Sequence, residues 1–310
     1  MIVYRELSSL CHDLGYSARA LYAASNTIEK HYHSVNLEKD NGEIRILQVP
    51  DLYLKSIQKS IVRNILTAEE ISPYATAYKF GGSTLVNALP HRNHSVVLKL
   101  DIRKFFDHIL YPAVKEKVFT ADKYSESNRI LLSVLCVYQH AIPQGAPTSP
   151  MISNIVMRDF DNRVGAWCNN QGITYTRYCD DMTFSGNFVP QPVIAFVKKE
   201  LFQEGFFLNY NKTVILRNGQ RKEVTGIVIN EKASVPAPYK KKLRQELHYC
   251  KAYGMESHMK HLNIQDSLQT YREKLLGRVN YVLSVEPGNK EMIAYKEYLD
   301  SGVKGTPMKL

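Results

Sequence analysis

The feature that most constrains the fold of this chain is the placement of aspartates in two short β-type segments. Residues 95–102 form a β-branched run that is too short for a globular helix, and Asp101 lies near its end. Residues 175–184 indicate two strands that fold around Asp180 and Asp181. If these strands are neighbours in one sheet, the three carboxylates share one site.

Such a site suits phosphoryl transfer at a nucleoside triphosphate. That reaction uses two Mg²⁺ ions about 3.5 to 4 Å apart, and hard cations of this kind prefer carboxylate oxygens. The competing interpretation is that Asp101, Asp180 and Asp181 are ordinary turn or capping residues, which is the commoner case for an isolated Asp-Asp pair. Spacing alone leaves both interpretations open.

Composition narrows the class of partner. The chain of 310 residues is 44% hydrophobic and carries a formal net charge of +10, which favours nucleic acid or an anionic membrane surface. No apolar stretch approaches the roughly 20 residues that span a bilayer, and charged residues stand where a signal peptide is apolar. We therefore predict a cytoplasmic protein without a membrane partner. The five cysteines form no C-x-x-C pair, which predicts reduced thiols and no zinc site.

The N-terminal part predicts helices followed by a hairpin. Leucines at helical intervals suggest two short helices broken near Gly15. Strands are predicted at 33–37 and 43–49, joined around residues 40–42, where Asn-Gly readily takes positive φ angles. An amphipathic helix with a basic side follows at 52–66.

Further along, apolar periodicity predicts helices at 127–138, 149–167 and 192–204. Beyond Pro238 the composition becomes helix-forming and basic through Leu283. We place a domain boundary near Val235.

The residues around the aspartates resemble the reverse transcriptase family, in four segments that follow the family's order. Four dispersed motifs in one order are more specific than any single motif. The matching segments are Asp101 within LKLDIRKFFDHI, Gln144–Pro150 as Q-G-x-x-x-S-P, Tyr178–Asp181 as Y-x-D-D, and Gly205–Thr213 as G-F-x-x-N-x-x-K-T.

This resemblance implies an RNA-directed DNA polymerase with an α+β, right-hand fold. Fingers are expected at 1–100, a palm with an antiparallel sheet and an interleaved fingers segment at 101–235, and a helical thumb at 236–310. It further implies that the catalytic and metal-binding residues are Asp101, Asp180 and Asp181. The expected metal is Mg²⁺ in a two-metal site, with Mn²⁺ as a substitute.

The resemblance also implies a set of residues that bind the incoming dNTP. Phe106 resembles the aromatic residue that packs beneath the sugar and rejects a 2′-hydroxyl, and Arg45 the cation that the fingers present to the triphosphate. The alternatives are a core phenylalanine, a solvated strand arginine and, for Lys212, an ion pair with an acid. The nucleotide-binding candidates are Arg45, Phe106, Gln144, Gly145 and Lys212.

Two further segments resemble the retron branch of the family. Asn87 and His91 match its N-A-x-x-H element, and Val224, Thr225 and Gly226 match its V-T-G triplet, in the region associated with recognising a structured RNA. The alternatives are a helix cap, a buried hydrogen-bonding histidine and a strand relieved by a glycine. RNA contacts are also expected from a basic cluster and a thumb helix, at Lys240, Lys241, Lys242, Arg244 and Arg278.

A retron enzyme uses a cognate non-coding RNA as template and primer. The resemblance thus implies synthesis from a guanosine 2′-hydroxyl to give branched msDNA, a role in anti-phage defence, and an effector protein as partner. We expect no maturase, endonuclease or RNase H domain after the thumb. The alternatives are a diversity-generating or stand-alone defence reverse transcriptase, a DNA-templated polymerase, or an RNA-binding scaffold without activity, against which the three retained aspartates argue.

Overall fold

The computed structural model describes residues 3–38, 42 and 44–301. The chain divides into two compact units, and each is built from segments that are separate in sequence. The first unit consists of residues 1–83 and 96–215, and the second of residues 84–95 and 216–310. Every helix in the described part of the chain is too short or too polar to span a bilayer.

The first unit contains a hairpin formed by β1 (Tyr32–Glu38) and β2 (Ile44–Pro50). The two strands are antiparallel, with Tyr32 opposite Pro50, which confirms the predicted hairpin. Of the predicted turn, residues 40 and 41 lie outside the described residues.

A second sheet forms the centre of the same unit. Its order is β4-β5-β3-β6, and β5 runs antiparallel to both of its neighbours. The predicted strands at 95–102 and 175–184 are confirmed, and their register places Asp101 directly opposite Asp181. The strands are β3 (Val96–Asp101), β4 (Thr174–Tyr178), β5 (Asp181–Gly186) and β6 (Val214–Leu216).

Helices surround this sheet and share one apolar core with it. The predicted break between the first two helices is confirmed, because Gly15 adopts a φ of 74° and ends the first of them. The helices of the first unit, numbered along the whole chain, are α1 (Leu7–Leu14), α2 (Ala18–Asn26), α3 (Leu52–Asn64), α5 (Tyr111–Lys117), α6 (Glu126–Cys136), α7 (Ser149–Val156), α8 (Arg158–Asn170) and α9 (Pro190–Gln203).

The helical prediction for 149–167 is confirmed except at Met157, where a break separates α7 from α8. That residue has φ −85° and ψ −1°, in the bridge region between helical and extended backbone. Its side chain is fully buried. The break takes up a single residue and leaves the apolar periodicity intact, so the sequence pattern does not show it.

The second unit is mainly helical, as predicted beyond Pro238, although its last helix lies past the predicted end. The alternative interpretation of Val224, Thr225 and Gly226, a strand relieved by a glycine, is not observed. Val224 pairs with Ile227 across a tight turn whose central residues, Thr225 and Gly226, have φ angles of 45° and 79°, the pattern of a type I′ turn. The elements are α4 (Thr84–Ala88), β7 (Glu223–Val224), β8 (Ile227–Val228), α10 (Ala237–Tyr253), α11 (Met255–His261), α12 (Leu268–Val285) and α13 (Lys290–Asp300).

Candidate active site

Three aspartates line one pocket where the central strands of the first unit end. Asp101 is the last residue of β3 and is 4% exposed, and Asp181 begins β5 directly opposite it. Asp180 lies in the turn between β4 and β5, and its carbonyl accepts a hydrogen bond of 3.0 Å from the backbone N–H of Ile102. The predicted convergence of these strands is therefore observed.

The turn that carries Asp180 has an unusual backbone. Because Tyr178 pairs with Asp181, Cys179 and Asp180 are the two central residues of the turn. Cys179 has a φ of 60°, in the left-handed region that costs a residue with a side chain about 1 to 2 kcal/mol. This conformation persists only where surrounding contacts hold it.

The holding contact is a buried arginine on β4 that the sequence motifs do not include. Arg177 Nη1 donates to the carbonyl oxygen of Cys179 at 2.8 Å. Its Nη2 lies 2.6 Å from Asp161 Oδ2 on α8, and both side chains are 0% exposed. Nη2 also lies 3.3 Å from Asn154 Oδ1 on α7, and the Asn154 amide donates to the carbonyl of Ala77 at 2.8 Å.

This network fixes the aspartate-bearing turn against two helices and a loop. The sequence signal that points to it is an arginine inside a short predicted strand, since such a charge is buried only when it is paired.

The electrostatics of the site favour a cation. The pKa of Asp181 is raised to about 6, first by partial desolvation in the pocket and then by the negative charges of Asp180 and Asp101. The residue as a whole is nevertheless exposed at the start of β5. Lys212 Nζ lies 2.6 Å from Asp101 Oδ2, and this hydrogen bond raises the pKa of the lysine. Asn209 donates to the other oxygen of Asp101 at 2.9 Å. The expected alternative for Lys212, an ion pair with an acid, is thus seen.

A pocket of about 430 Å³ opens over these carboxylates. It brings four of the five nucleotide-binding candidates together with the three aspartates. The side chains from that set that line it are Arg45, Phe106, Gln144 and Lys212, with Asp101, Asp180 and Asp181.

Gly145, the fifth candidate, instead packs against the hairpin. A Cβ atom at this position would lie 2.6 Å from the carbonyl oxygen of Gln48 on β2, and its φ is 138°. Only glycine permits this approach. The segment that contains Gln144 and the strand that contains Arg45 are therefore in direct backbone contact.

Phe106 is half-buried at the pocket, whereas Phe105 is 2% exposed in the core. The two adjacent side chains therefore have different surroundings. β3 ends at Asp101, Phe105 lies in the turn that follows, and Phe106 begins a 3₁₀ helix at Phe106–His108.

The candidates from the two retron-like segments meet within the second unit. The Asn87 amide donates to Thr225 Oγ1 at 3.3 Å, and that hydroxyl donates to the carbonyl of Thr84 at 2.9 Å. Asn87, His91 and Val224 are buried, while Thr225 is half-buried and Gly226 is exposed. Of these five residues, only Thr225 and Gly226, in the turn, are accessible to solvent.

The basic candidates of the second unit differ in their partners. Lys240 pairs with Glu286, the residue that follows α12, at 2.7 Å. Arg244 pairs with a glutamate of α13 at 2.5 Å, and Arg278 with Glu246 of α10 at 2.5 Å. Lys241 and Lys242 are exposed and have no ion-pair partner among the described residues. These two lysines are the available charges of the cluster.

Within the described residues, no three His, Cys, Asp or Glu side chains are grouped closely enough to form a ready metal site. The donor chemistry nevertheless fits a hard divalent cation, because the wall of the pocket presents carboxylates of Asp101, Asp180 and Asp181 that repel one another.

This pocket and its motifs define a class of protein. Residues 28–249 match the family model for reverse transcriptase (RNA-dependent DNA polymerase). The chain belongs to this family, whose right-hand fold agrees with the predicted α+β class. It is an RNA-directed DNA polymerase.

Its relatives define the branch. The chain is 30% identical over 291 residues to the retron Ec83 reverse transcriptase of Escherichia coli, a match that covers 88% of this chain and 89% of that protein. The retron Ec86 reverse transcriptase of Escherichia coli is 29% identical over 310 residues, covering 96% and 91%. The retron Mx65 reverse transcriptase of Myxococcus xanthus is 29% identical, covering 94% and 71%. The chain is a retron-type reverse transcriptase.

Among solved structures, a telomerase from Candida albicans with a fragment of telomeric RNA matches with a TM-score of 0.47 and 10% identity, over 88% of this chain and 61% of that one.

Proposed function

We propose that Asp101, Asp180 and Asp181 form the polymerase centre and that Mg²⁺ is the metal that works there, with Mn²⁺ as a substitute. Asp101 and Asp180 hold the ions, and Asp181 supports the site. When bound, two such ions lower the pKa of the primer hydroxyl and neutralise charge on the triphosphate. The protein's own contribution is to position the carboxylates on rigid strand ends. The convergence of the three carboxylates in one pocket carries this proposal.

The other walls of the pocket receive the dNTP. Arg45, exposed on β2, meets the triphosphate, and Phe106 packs beneath the sugar. Gln144 lies on the segment that Gly145 anchors against β2, so the nucleotide lies between this segment and the aspartates. Lys212, with a side chain that is 60% exposed, reaches either Asp101 or a phosphate.

Primer extension on an RNA template tests the centre. We expect Asp180→Asn to reduce the rate with Mg²⁺ by at least about 100-fold, since charge stabilisation at the reacting phosphate is lost. Asp159→Asn, an exposed aspartate of α8, serves as the matched control and keeps full activity. Activity that survives Asp180→Asn combined with Asp181→Asn refutes the assignment.

We further propose that the chain copies part of a cognate non-coding RNA from a guanosine 2′-hydroxyl, giving branched msDNA, and acts with an effector protein in anti-phage defence. The retron names of its relatives support this, as does the contact between the two retron-like segments. Thr225, Gly226, Lys241, Lys242 and Arg278 contact the RNA, while Asn87, His91 and Val224 support the turn.

Five unpaired thiols suit the bacterial cytoplasm as the location. The assignment of fingers, palm and thumb to 1–100, 101–235 and 236–310 belongs to the same proposal.

Sequencing of the nucleic acid that copurifies with the protein tests this finer function. One structured transcript covalently joined to DNA supports the retron assignment. A mixed population of RNAs favours another type of bacterial reverse transcriptase and contradicts it.

A further inference from the structure

A cleft of about 600 Å³ lies between α10 and α11, within the second unit. It belongs to neither the polymerase pocket nor the turn at Thr225. Two tyrosine rings and two histidine rings line it, together with several polar side chains. The lining includes Lys242, Gln245, Tyr249, Tyr253, Ser257 and His258.

The rings form a ladder along the cleft. Tyr249 stacks on His258 with ring centroids 5.8 Å apart and planes at 14°, and on Tyr253 at 5.9 Å and 27°. Tyr249 is 41% exposed and Tyr253 is 65% exposed. The outermost ring therefore presents much of its surface to solvent, in line with the rings behind it.

Buried contacts hold the base of this ladder in place. His258 Nδ1 lies 3.0 Å from the hydroxyl of Tyr271 and 3.6 Å from Cys250 Sγ. The hydroxyl of Tyr298 donates to the carbonyl of Cys250 at 2.9 Å. A stacking surface that is fixed before binding loses little conformational entropy when a ligand arrives.

The rim of the cleft is polar and carries a positive charge. The side chains of Lys242, Gln245 and Ser257 are exposed and make no hydrogen bond to the described residues. The acid in the lining, Glu246, already pairs with Arg278. Donors and acceptors thus surround a stacking surface, beside a free lysine.

We propose that this cleft binds an unpaired base of the RNA partner. The base stacks on Tyr253 in line with Tyr249, Gln245 and Ser257 meet its edge, and Lys242 meets a neighbouring phosphate. Aromatic stacking with an adjacent cation is the chemistry by which proteins hold single-stranded bases. The inference rests on the proposed function only in that the chain holds a structured RNA.

The test uses two RNA hairpins that contain 2-aminopurine, one with this base unpaired in a bulge and one with it paired. We expect binding to quench the unpaired probe. Tyr253→Ala weakens binding of the bulged hairpin between about 5- and 150-fold, the range for loss of one stacked base, and leaves the paired hairpin unaffected. Tyr253→Phe keeps the ring and binds as the unaltered protein does.

Tyr22→Ala, at an exposed tyrosine of the first unit, is the matched control and changes neither affinity. Two results with Tyr253→Ala overturn the proposal. One is an equal loss of affinity for both hairpins, and the other is no loss of affinity for the bulged hairpin. Primer extension on a generic primed RNA template tests the polymerase assignment separately. Tyr253→Ala should retain this activity, so a loss of bulge binding does not bear on the polymerase centre.

Discussion

At the scale of single residues, Phe106 offers the sharpest test of the polymerase pocket. Its ring is half-buried against the pocket that contains the aspartates. If it packs beneath the sugar, Phe106→Ala opens room for a 2′-hydroxyl. We expect the preference for dNTP over rNTP, measured as the ratio of kcat/KM values, to fall roughly 10- to 100-fold.

Phe202→Ala is the control for this change, because Phe202 is 69% exposed on α9. It should leave the ratio unchanged. A Phe106→Ala enzyme that still rejects rNTPs as strongly as the unaltered protein would show that another group contacts the sugar.

His91 makes the stability of the second unit depend on pH. Burial, and then the nearby His94, lower the pKa of His91 to about 3, while the unfolded chain takes up a proton near pH 6.5. The folded state therefore loses stability as pH falls below 6.5. Between pH 7 and pH 5 the loss is about 2 kcal/mol.

Hydrogen exchange of peptides that contain residues 84–95 and 223–229 measures this loss. His91→Gln removes the titrating group. Between pH 7 and pH 5, these peptides should therefore lose about 2 kcal/mol less protection from exchange in the variant than in the unaltered protein. An identical pH dependence in both proteins would contradict the role of His91.

The residues that sequence motifs predicted and those that they missed differ in one physical respect. In the proposed function, Asp101, Asp180 and Phe106 each act directly on a ligand, so their residue type and spacing identify them. Arg177 and Asp161 act through each other across 16 residues of chain, and that partnership exists only in the tertiary structure.

At the scale of elements, the buried pair of Arg177 and Asp161 links the β4–β5 turn to α8. Arg177→Met leaves Asp161 buried and unpaired, so we expect destabilisation by about 3 to 5 kcal/mol in denaturant unfolding. Combining Arg177→Met with Asp161→Leu and Tyr175→Phe removes the unpaired carboxylate and its tyrosine partner, so part of this stability should return. The carbonyl of Cys179 and Asn154 Oδ1 still lack the donor that Arg177 supplied. Activity should stay low, because the carbonyl of Cys179 has lost its donor.

For this triple variant we expect kcat to fall about 10- to 100-fold, with KM for the dNTP little changed, as for a displaced catalytic group. Arg158→Met, in an exposed pair with Asp159, is the control and affects neither quantity. A stable triple variant with unaltered kcat would mean that the pair serves stability alone.

An element could be predicted when residues within or next to it determine its structure, and could not when distant residues do. The β1–β2 hairpin and the two strands around Asp180 follow from local alternation and turn residues. The break at Met157 and the hairpin at Val224 do not, since a buried methionine is compatible with a continuous helix and Val-Thr-Gly with a continuous strand.

At the scale of the whole molecule, the net charge of +10 predicts salt-dependent binding of nucleic acid, and the ion pairs show which charges are available. Replacing Lys241 and Lys242 together by Gln should reduce the slope of log K against log salt concentration by about 1.4 to 1.8, the value for two phosphate contacts. Affinity for an RNA–DNA duplex is measured over a salt series.

The double variant Lys290→Gln, Lys296→Gln removes the same charge from exposed positions of α13 and should keep the slope. Equal changes in the two variants would indicate an effect of overall charge rather than local contact.

The division into units was beyond sequence patterns. A boundary near Val235 follows from the change in composition, yet the second unit begins at Leu216 and includes residues 84–95. No local property of that segment reveals its distant partner. Only the packing of buried groups such as Asn87 against Thr225 does so.

The hydrogen bond between Asn87 and Thr225 joins residues 138 positions apart, and this separation has a consequence on the ribosome. At about 5 to 20 residues per second, Thr225 is synthesised about 7 to 28 s after Asn87. During that interval the rest of the second unit has not been translated. Ala88 and His91, which are buried in the folded structure, therefore lack the residues that cover them. A nascent chain arrested before residue 216 should therefore be a client of chaperones, and no single cut can divide the gene product into its two units.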